Sequence, residues 1–585
     1  MTHNRLIKET NTYLLNHAHQ AIDWYPWCDE AFARAKAENK LIFISIGFSA
    51  CHWCHEISRT CFNNEAIAQT LNKYYIAIKV DKEERPDVDQ VYMNAIEIIA
   101  NSGGWPISCF ALPDGAPVFG GTWFSPEQFM EVILGLQQIF EEEPEKLQHI
   151  GVEMMSMLHN TDIITEKQPI DTVSAGDIKR IVESWRRKFD FINGGTVGSP
   201  KFPLPAALAF MSHAGHYLND ESITNHVDLT LEKIAKGGIY DHLQGGVFRY
   251  AEDSEWKRPH FEKMLFDNAQ LVLSCIHAYE FSPKTLYKEV IESTIRFMME
   301  VLLSEKKMFY GSIDAESEGV EGKYYTWQAD ELKEILQDNY QITADYFGIN
   351  ENNTNILHVN DTIENLSSKY NLTIEETQNK INEIKKQLLE VRKKRPSPNI
   401  YPEIILSWNS MAMSAFCDAY KMLGHEYLLT QAKYMAEYIT EHYICDNYEM
   451  FRVAENKTPA FLDDYAITAC AFIRLFSITG SSEYLKIIRG ILDYCFKYFY
   501  DEKSGMFFYT SGKSPVIPRL MDFVDKAYPS SNAVMARVLI IMASLDNNDD
   551  YSNMALQMIC NIKDQMPGAG PYIAYWANLL FNYIK

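Results

Sequence analysis

The sequence predicts a multidomain chain, an α/β N-terminal domain followed by an all-α domain, and three observations predict it. Short runs rich in β-branched and aromatic residues, "LIFISIGF" (41–48) and "YYIAIKVDKEE" (74–84), fall in the first third. They alternate there with amphipathic stretches, the pattern of strands packed between helices. From about residue 173 onward, apolar residues instead recur at three- and four-residue spacing, with only brief strand signals such as "MFYGSID" and "KYYTW".

Taken in order, "AFARAKAENK" (31–40) reads as an amphipathic helix and 41–48 as a buried strand. Cys51-His52-Trp53-Cys54-His55 then opens a second helical stretch. A second strand covers 74–84, and "PDVDQVYMNAIEIIANSGG" is a helix with Pro86 near its start and Gly103 past its end. "GGWPISCFALPDGAPVFGGTWF" reads as strand, Pro-Asp-Gly turn at 113–115, strand, and one more helix follows. That order is a thioredoxin fold, with Trp105-Pro106 where the fold sets a cis-proline beside the dithiol.

The CxxCH stretch admits three chemistries: a dithiol redox pair, a covalent haem attachment, or a zinc site using His52, His55 and Cys61. The thioredoxin order favours the first. Cys51 would sit at a helix N-terminus, where unpaired N–H groups and the helix dipole stabilise its thiolate. Cys54, one turn deeper, would be the resolving thiol, with His55 a local charge or proton donor and Pro106 alongside. No second CxxC or paired His tract completes a zinc set, so no metal is assigned. Cys28, Cys61 and Cys109 read as small buried hydrophobes.

The 585 residues suffice for three or four domains, or for two if one is a large helical barrel. A formal net charge of -24 argues against a nucleic-acid partner, which needs a basic face. No run of 18 apolar residues spans a membrane. The N-terminus lacks a signal-peptide apolar stretch. A cytoplasmic location is therefore expected, with eleven scattered cysteines mostly reduced.

"NHAHQAIDWYPW", "SACHWCHE", "KVDKEERPDVDQVYM", "SGGWPISCFALPDGAPVFGGTWF" and "PHFEKMLFDNA" together resemble the spermatogenesis-associated family, over nearly the whole chain. The resemblance implies a thioredoxin-like domain, itself a domain of unknown function. It also implies a helical barrel similar to N-acylglucosamine 2-epimerases and six-hairpin glycosidases. Two departures stand out. "YPEIILSWN" has Pro402 and Glu403 where the family commonly has Asp-Lys, and Phe248 precedes Arg249-Tyr250 where it often has His.

These readings place the thioredoxin-like domain at 1–163, a polar linker at 164–177 and the helical domain at 178–585. Helix starts are expected near 173, 204, 222, 261, 284, 328, 407, 426, 460, 481, 527, 548 and 570. Antiparallel pairing of so many helices suits a closed toroid or an open solenoid; the resemblance implies the closed (α/α)6 barrel. "TIEETQNKINEIKKQLLEVRKKRPSP" (373–398) reads as a solvated helix with ordinary dipole patterning.

Four helix starts echo one another: "FDNAQL" (266–271), "WNSMAM" (408–413), "DDYAIT" (463–468) and "SSNAVM" (530–535). Inner barrel helices run parallel, so these ends would gather at one mouth and ring a pocket. That ring names Asp267, Asn268, Trp408, Asn409, Asp463, Asp464 and Tyr465 as ligand-binding candidates. For any one of them, a helix cap is the simpler reading. The densest chemistry is 240–269, with His242, Arg249, Tyr250, His260 and Glu262 as further candidates. A helix from about Pro259 would carry His260, Lys263 and Asp267 on one side. Aromatic rings and charged groups together suit a polyol, and a His near neutral pKa could move a proton at carbon. "DAESEGVEGK" (314–323) reads as a turn at the pocket rim.

The expected function is a thiol–disulfide redox protein fused to a carbohydrate-active type of barrel. One alternative is a sugar epimerase, isomerase or glycosidase-like enzyme with a structural thioredoxin-like domain; another is a redox-sensing binding protein without turnover. Expected partners are a small, sugar-like ligand and a disulfide-bearing protein or thiol reductant. No cofactor, nucleic acid or membrane is expected.

Overall fold

The computed structural model describes residues 3–584. Five strands, β1 (Trp24–Tyr25), β2 (Leu41–Gly47), β3 (Tyr75–Asp81), β4 (Ile107–Ala111) and β5 (Pro117–Gly121), form one sheet in the order β1-β3-β2-β4-β5. β1 and β2 flank β3 in parallel, and β4 and β5 complete the sheet antiparallel. Around it lie α1 (Asp29–Glu38), α2 (His52–Ile57), α3 (Glu65–Tyr74), α4 (Pro86–Ala100), α5 (Pro126–Glu142) and α6 (Pro144–Asn160). This is the thioredoxin-like arrangement.

All seven residues of β2 are buried because both faces of the sheet are covered. Phe43 packs with Trp24, Phe62, Phe110 and Phe129 on one face. Ile42, Ile44 and Ile46 pack with Val88, Tyr92 and Ile96 on the other, the period-two alternation of a strand. Two features differ from the sequence reading. β1 is too short to carry a periodic signal, and the single helix expected after the β4–β5 hairpin is two, parted at Pro144, which cannot continue a helix from within.

The helical part is a closed (α/α)6 barrel. Six inner helices, α7 (Pro205–Leu218), α8 (Leu265–Phe281), α9 (Leu406–Leu423), α10 (Leu462–Thr479), α11 (Ser531–Asp546) and α12 (Ala574–Leu579), each pack on the next. The ring shuts where α12 meets α7. Outer helices such as Glu221–Lys236, Thr285–Phe297, Glu426–His442, Ser482–Tyr498 and Asp549–Lys563 return the chain between inner ones. The inner helices therefore run parallel, with their N-terminal ends at one mouth.

The echo among helix starts has a structural cause. After successive outer helices the chain makes a small hairpin, bridged at Phe189–Thr196, Tyr240–Val247, Leu303–Phe309, Ile444–Met450 and Tyr500–Phe507. In four of these five the following inner helix grips the hairpin's backbone. Asn268 accepts Val247 N–H (2.8 Å) and donates to Val247 C=O (3.3 Å). Asn409 does the same to Phe309 (2.8 and 3.0 Å), and Asn532 to Phe507 (2.9 and 2.8 Å). In the fourth case the Tyr465 hydroxyl accepts Met450 N–H (2.9 Å). Gly246, at φ +84, lies so close to Asn268 that a Cβ would stand 2.8 Å from its Oδ1.

Three local expectations are corrected. No helix begins near Pro259. Pro259–His260 pairs as a strand with Tyr250–Ala251, and α8 starts only at Leu265, because the intervening backbone bonds to neighbouring strands. "KYYTW" forms no strand beyond one bridge, Trp327 to Asn355. The helix Ile374–Arg392 is not solvated at its basic end. Arg392 is buried and holds Asp241 through two bonds (2.8 and 2.9 Å), with Lys263 on the same carboxylate (2.7 Å).

Asn409→Ala strands two buried backbone groups of Phe309. It is expected to destabilise the barrel by about 1–3 kcal/mol, read as a lower urea midpoint, whereas Asn352→Ala on the exposed surface shifts it little. Equal midpoints for the two variants would refute the clamp.

Candidate functional site

Cys51 is the N-cap of α2, its Sγ accepting the Cys54 N–H at 3.2 Å, and the two cysteines form a disulfide with Cα atoms 5.2 Å apart. The Trp105-Pro106 bond is cis. Cys51 is 4% exposed and Cys54 1%, so the pair lies covered. Gly47 is required beneath it, since a Cβ there would stand 2.7 Å from Cys54 Sγ and 2.3 Å from the Tyr13 hydroxyl. Cys61 donates to the Phe124 carbonyl instead (3.5 Å) and completes no ligand set with the pair.

The flanks of the dithiol are held by the barrel. His52 Nδ1 meets Glu316 Oε1 at 2.5 Å, and His55 Nδ1 faces Glu316 (3.6 Å) and Asp314 (3.9 Å) while its Nε2 bonds the Ser49 carbonyl (2.8 Å). Arg59 donates to both Glu316 oxygens (2.9 and 3.0 Å). Burial opposes charge on His55, but Glu316 and Asp314 outweigh it and raise its pKa. Burial likewise opposes ionisation of Glu316, and His52, His55 and Arg59 drive its pKa far below the carboxylate range. Segment 314–323 is thus a two-stranded ribbon turned onto the CxxC helix, with Asp314 and Glu316 buried. His52, Glu56 and Glu316 offer ligand atoms within 4.8 Å of one another, but the Arg59 guanidinium already stands where a cation would bind.

A second set of contacts joins the β3–α4 loop to the barrel mouth. Arg452, 1% exposed, meets Asp463 (3.1 Å) and Asp464 (3.0 Å) and donates Nε to the Glu83 carbonyl (2.5 Å). Asp464 also accepts Ser407 and Phe461 N–H groups, and Asp463 accepts the Tyr509 and Tyr528 hydroxyls. Asn456 donates to Glu84 (2.7 Å), and Glu403 accepts the Thr12 N–H (2.9 Å), so one of the departures from the family pattern sits at this interface.

Between these anchors, Arg249 binds Glu262 (2.7 Å) and lies over Phe48 (5.1 Å) and Trp105 (5.7 Å) of the thioredoxin-like domain. His260 bridges Glu262 (2.9 Å) and Glu321 (2.6 Å) and stacks on Tyr250. Burial would lower its pKa, but the two carboxylates raise it to about 10. Glu262 is held near about 2 against burial by Arg249 and His260. Asp267 is lifted by burial, with Glu262 adding, to about 8 despite Arg249, and its Oδ2 has no partner. One buried acid is therefore protonated beside one that is ionised.

The candidates thus separate. Arg249, Tyr250, His260, Glu262 and Asp267 gather at the mouth, facing the CxxC edge. Asp463 and Asp464 are fully engaged within the barrel, where they hold the Arg452 that reaches Glu83. Asn268, Asn409 and Tyr465 clamp backbone, and Trp408 packs in the core against Phe266. His242 bonds the Gly237 carbonyl on the side of Phe347, and burial takes its pKa down to about 3. Neither His242 nor His260 is poised near neutrality. Sequence reasoning missed Glu316, Arg59, Arg452 and Lys79. Lys79, fully buried in β3, donates only to Ser45 (3.0 Å), and burial drives its pKa well below that of a free lysine. A lone lysine inside "YYIAIKVD" was its one signal.

Residues 3–159 match the family model Thioredox_DsbH, described as "Protein of unknown function, DUF255". Spermatogenesis-associated protein 20 of Rattus norvegicus is 30% identical over 97% of this chain and 79% of its own length. The Homo sapiens protein of that name is 30% identical over 96% and 79%. Among solved structures, cellobiose 2-epimerase from Bacillus thermoamylovorans aligns with 70% of this chain and 98% of its own at TM-score 0.47 and 11% identity. The GH76 alpha-mannanase BT2949 of Bacteroides thetaiotaomicron aligns with 70% and 95% at TM-score 0.43 and 9% identity.

The Glu316 contacts predict a pH-dependent seal over the dithiol. With a folded pKa above the unfolded value, His55 contributes fully below about pH 6.5 and loses its contribution as pH rises through the raised value. Glu316, with a depressed pKa, contributes above about 4.5 and fails only at strong acidity. Reduction of the disulfide by a phosphine should therefore accelerate on the alkaline side. Glu316→Gln should accelerate it about tenfold at pH 6, equivalent to roughly 1.4 kcal/mol, and flatten the profile. Superimposable profiles for the two proteins would remove the seal.

Proposed function

The chain belongs to the family of spermatogenesis-associated protein 20, and from that premise we propose that it is a thiol–disulfide redox protein whose centre is Cys51–Cys54. The observation that carries the reading is the N-cap geometry, with Cys51 Sγ receiving the Cys54 N–H at 3.2 Å beside Trp105-Pro106. Helix N–H groups aimed at that sulfur favour its thiolate over its thiol. In the reduced protein the Cys51 thiolate attacks a disulfide and forms a mixed disulfide, releasing one partner thiolate. Cys54 then attacks Cys51 Sγ, closing the intramolecular disulfide and expelling the second thiolate. Two electrons pass from the protein dithiol to the substrate, and a small thiol restores the dithiol.

The occlusion of the pair supports a small thiol or disulfide as the usual partner. A folded protein partner requires the Glu316 contacts to open first. Nine cysteines outside the pair are free, which fits the reducing cytoplasm as the working compartment. Cys51→Ser is expected to abolish glutathione-dependent disulfide exchange, and Cys54→Ser to trap a mixed disulfide carrying one glutathione by mass. Titration of the wild-type pair should give a reversible two-electron couple near the thioredoxin range, about -270 mV. Exchange undiminished in Cys51→Ser would sink the proposal.

A second reading is favoured by one observation, the protonated Asp267 beside the ionised Glu262 at the barrel mouth. Acid and base carboxyls with separated pKa values are what glycosyl or sugar-isomerising chemistry needs, and a sugar is the small ligand this reading assigns to the barrel. It predicts turnover that falls above about pH 8 and is lost in Asp267→Asn, while Cys51→Ser retains it. Sugar turnover that is pH-independent across that range, or intact in Asp267→Asn, would refute it.

A further inference from the structure

Inside the barrel, a mainly apolar cavity carries two buried guanidinium groups. Half-enclosed and about 90 Å³ in volume, it lies among the inner helices, lined by Gln270, Ser274, Ser414, Arg474, Arg537 and Tyr575 among others. Arg474 is ten residues beyond Asp464 on α10. It therefore lies about 15 Å further along the barrel than the carboxylates that hold Arg452.

The charges in this cavity do not balance. Arg474 pairs with Asp418. Arg537 has the Tyr575 hydroxyl beside it and no carboxylate partner among the described residues. The Nε atoms of both arginines are buried without a hydrogen-bond acceptor. A guanidinium in such a place is costly unless an anion completes it. The helix dipole does not supply the missing charge for Arg537, which stands nine residues before the end of α11, more than two turns from the terminal carbonyls. Gln270, Ser274 and Ser414 donate to backbone carbonyls, at 2.9, 2.9 and 3.0 Å, and carry no charge that could neutralise the arginines.

We infer that this cavity binds a small oxyanion, a phosphate or carboxylate group on a sugar-sized molecule, between Arg537 and Arg474. A planar guanidinium presents N–H groups that match an oxyanion in pairs of parallel hydrogen bonds. The Tyr575 hydroxyl stands ready as a third donor. The inference is independent of the redox reading and of Asp267, because it uses none of their residues.

Calorimetric titration of the full chain at constant ionic strength, with inorganic phosphate, glucose 6-phosphate, glucuronate and glucose as probes, tests it. Saturable binding of phosphate or glucose 6-phosphate identifies a phosphoryl ligand, and binding of glucuronate alone a carboxylate. Glucose should bind at least tenfold more weakly than the charged probes. Arg537→Gln should lose at least tenfold in affinity, while Arg489→Gln, at the exposed Asp546 pair, should bind as the wild type does. Arg537→Met guards against a folding defect: without ligand it should unfold at a higher temperature than wild type, and phosphate should no longer raise its midpoint. Failure of all three charged probes to bind, or undiminished binding by Arg537→Gln, overturns the inference.

Discussion

Arg452 has almost no contact with water, and three of its contacts are to Asp463 and Asp464 at the start of one inner helix. Its Nε crosses to the Glu83 carbonyl of the thioredoxin-like domain. A charge in that position is tolerated only while every partner stays in place, since removing one leaves the others buried and unpaired. The contacts at this seam therefore depend on one another. Arg249, with Glu262 behind it and Phe48 and Trp105 above it, obeys the same constraint a few residues away.

That seam dictates what the dithiol can meet. Here His52, His55 and Arg59 on the same helix are tied to Glu316, and the exposed neighbours of the pair are Trp53 and Trp123, whose rings lie 6.1 Å apart. The covered pair is thus bordered by an electrostatic contact between its own helix and the barrel.

The barrel itself is built from a repeated device. In four of the five small hairpins between an outer and an inner helix, one residue presents backbone groups that would be buried without partners. An asparagine one turn into the inner helix answers both groups at once, with a tyrosine hydroxyl answering the N–H in one repeat. This accounts for the recurrence of Asn and Tyr at helix starts without calling on a ligand. The cavity lies deeper, where the inner helices carry Arg474 and Arg537.

Local pattern determined much of this molecule. Alternation in "LIFISIG", the Pro-Asp-Gly turn and the CxxC before a helix specify the thioredoxin-like order, because strand and helix periodicity are properties of neighbours in the chain. Helical spacing placed most barrel helices within a few residues, yet it left closed and open rings equally allowed. Closure depends on α12 meeting α7, a contact between residues hundreds of positions apart. The same separation hid Glu316 from His52 and Glu83 from Arg452. It also hid the pKa values of His260 and Asp267, which are set by burial and by carboxylates and cations brought in from distant segments. Which polar residues bind, which clamp and which merely join domains was decided by tertiary structure, because a side chain's charge state and partners belong to its surroundings and not to its neighbours in sequence.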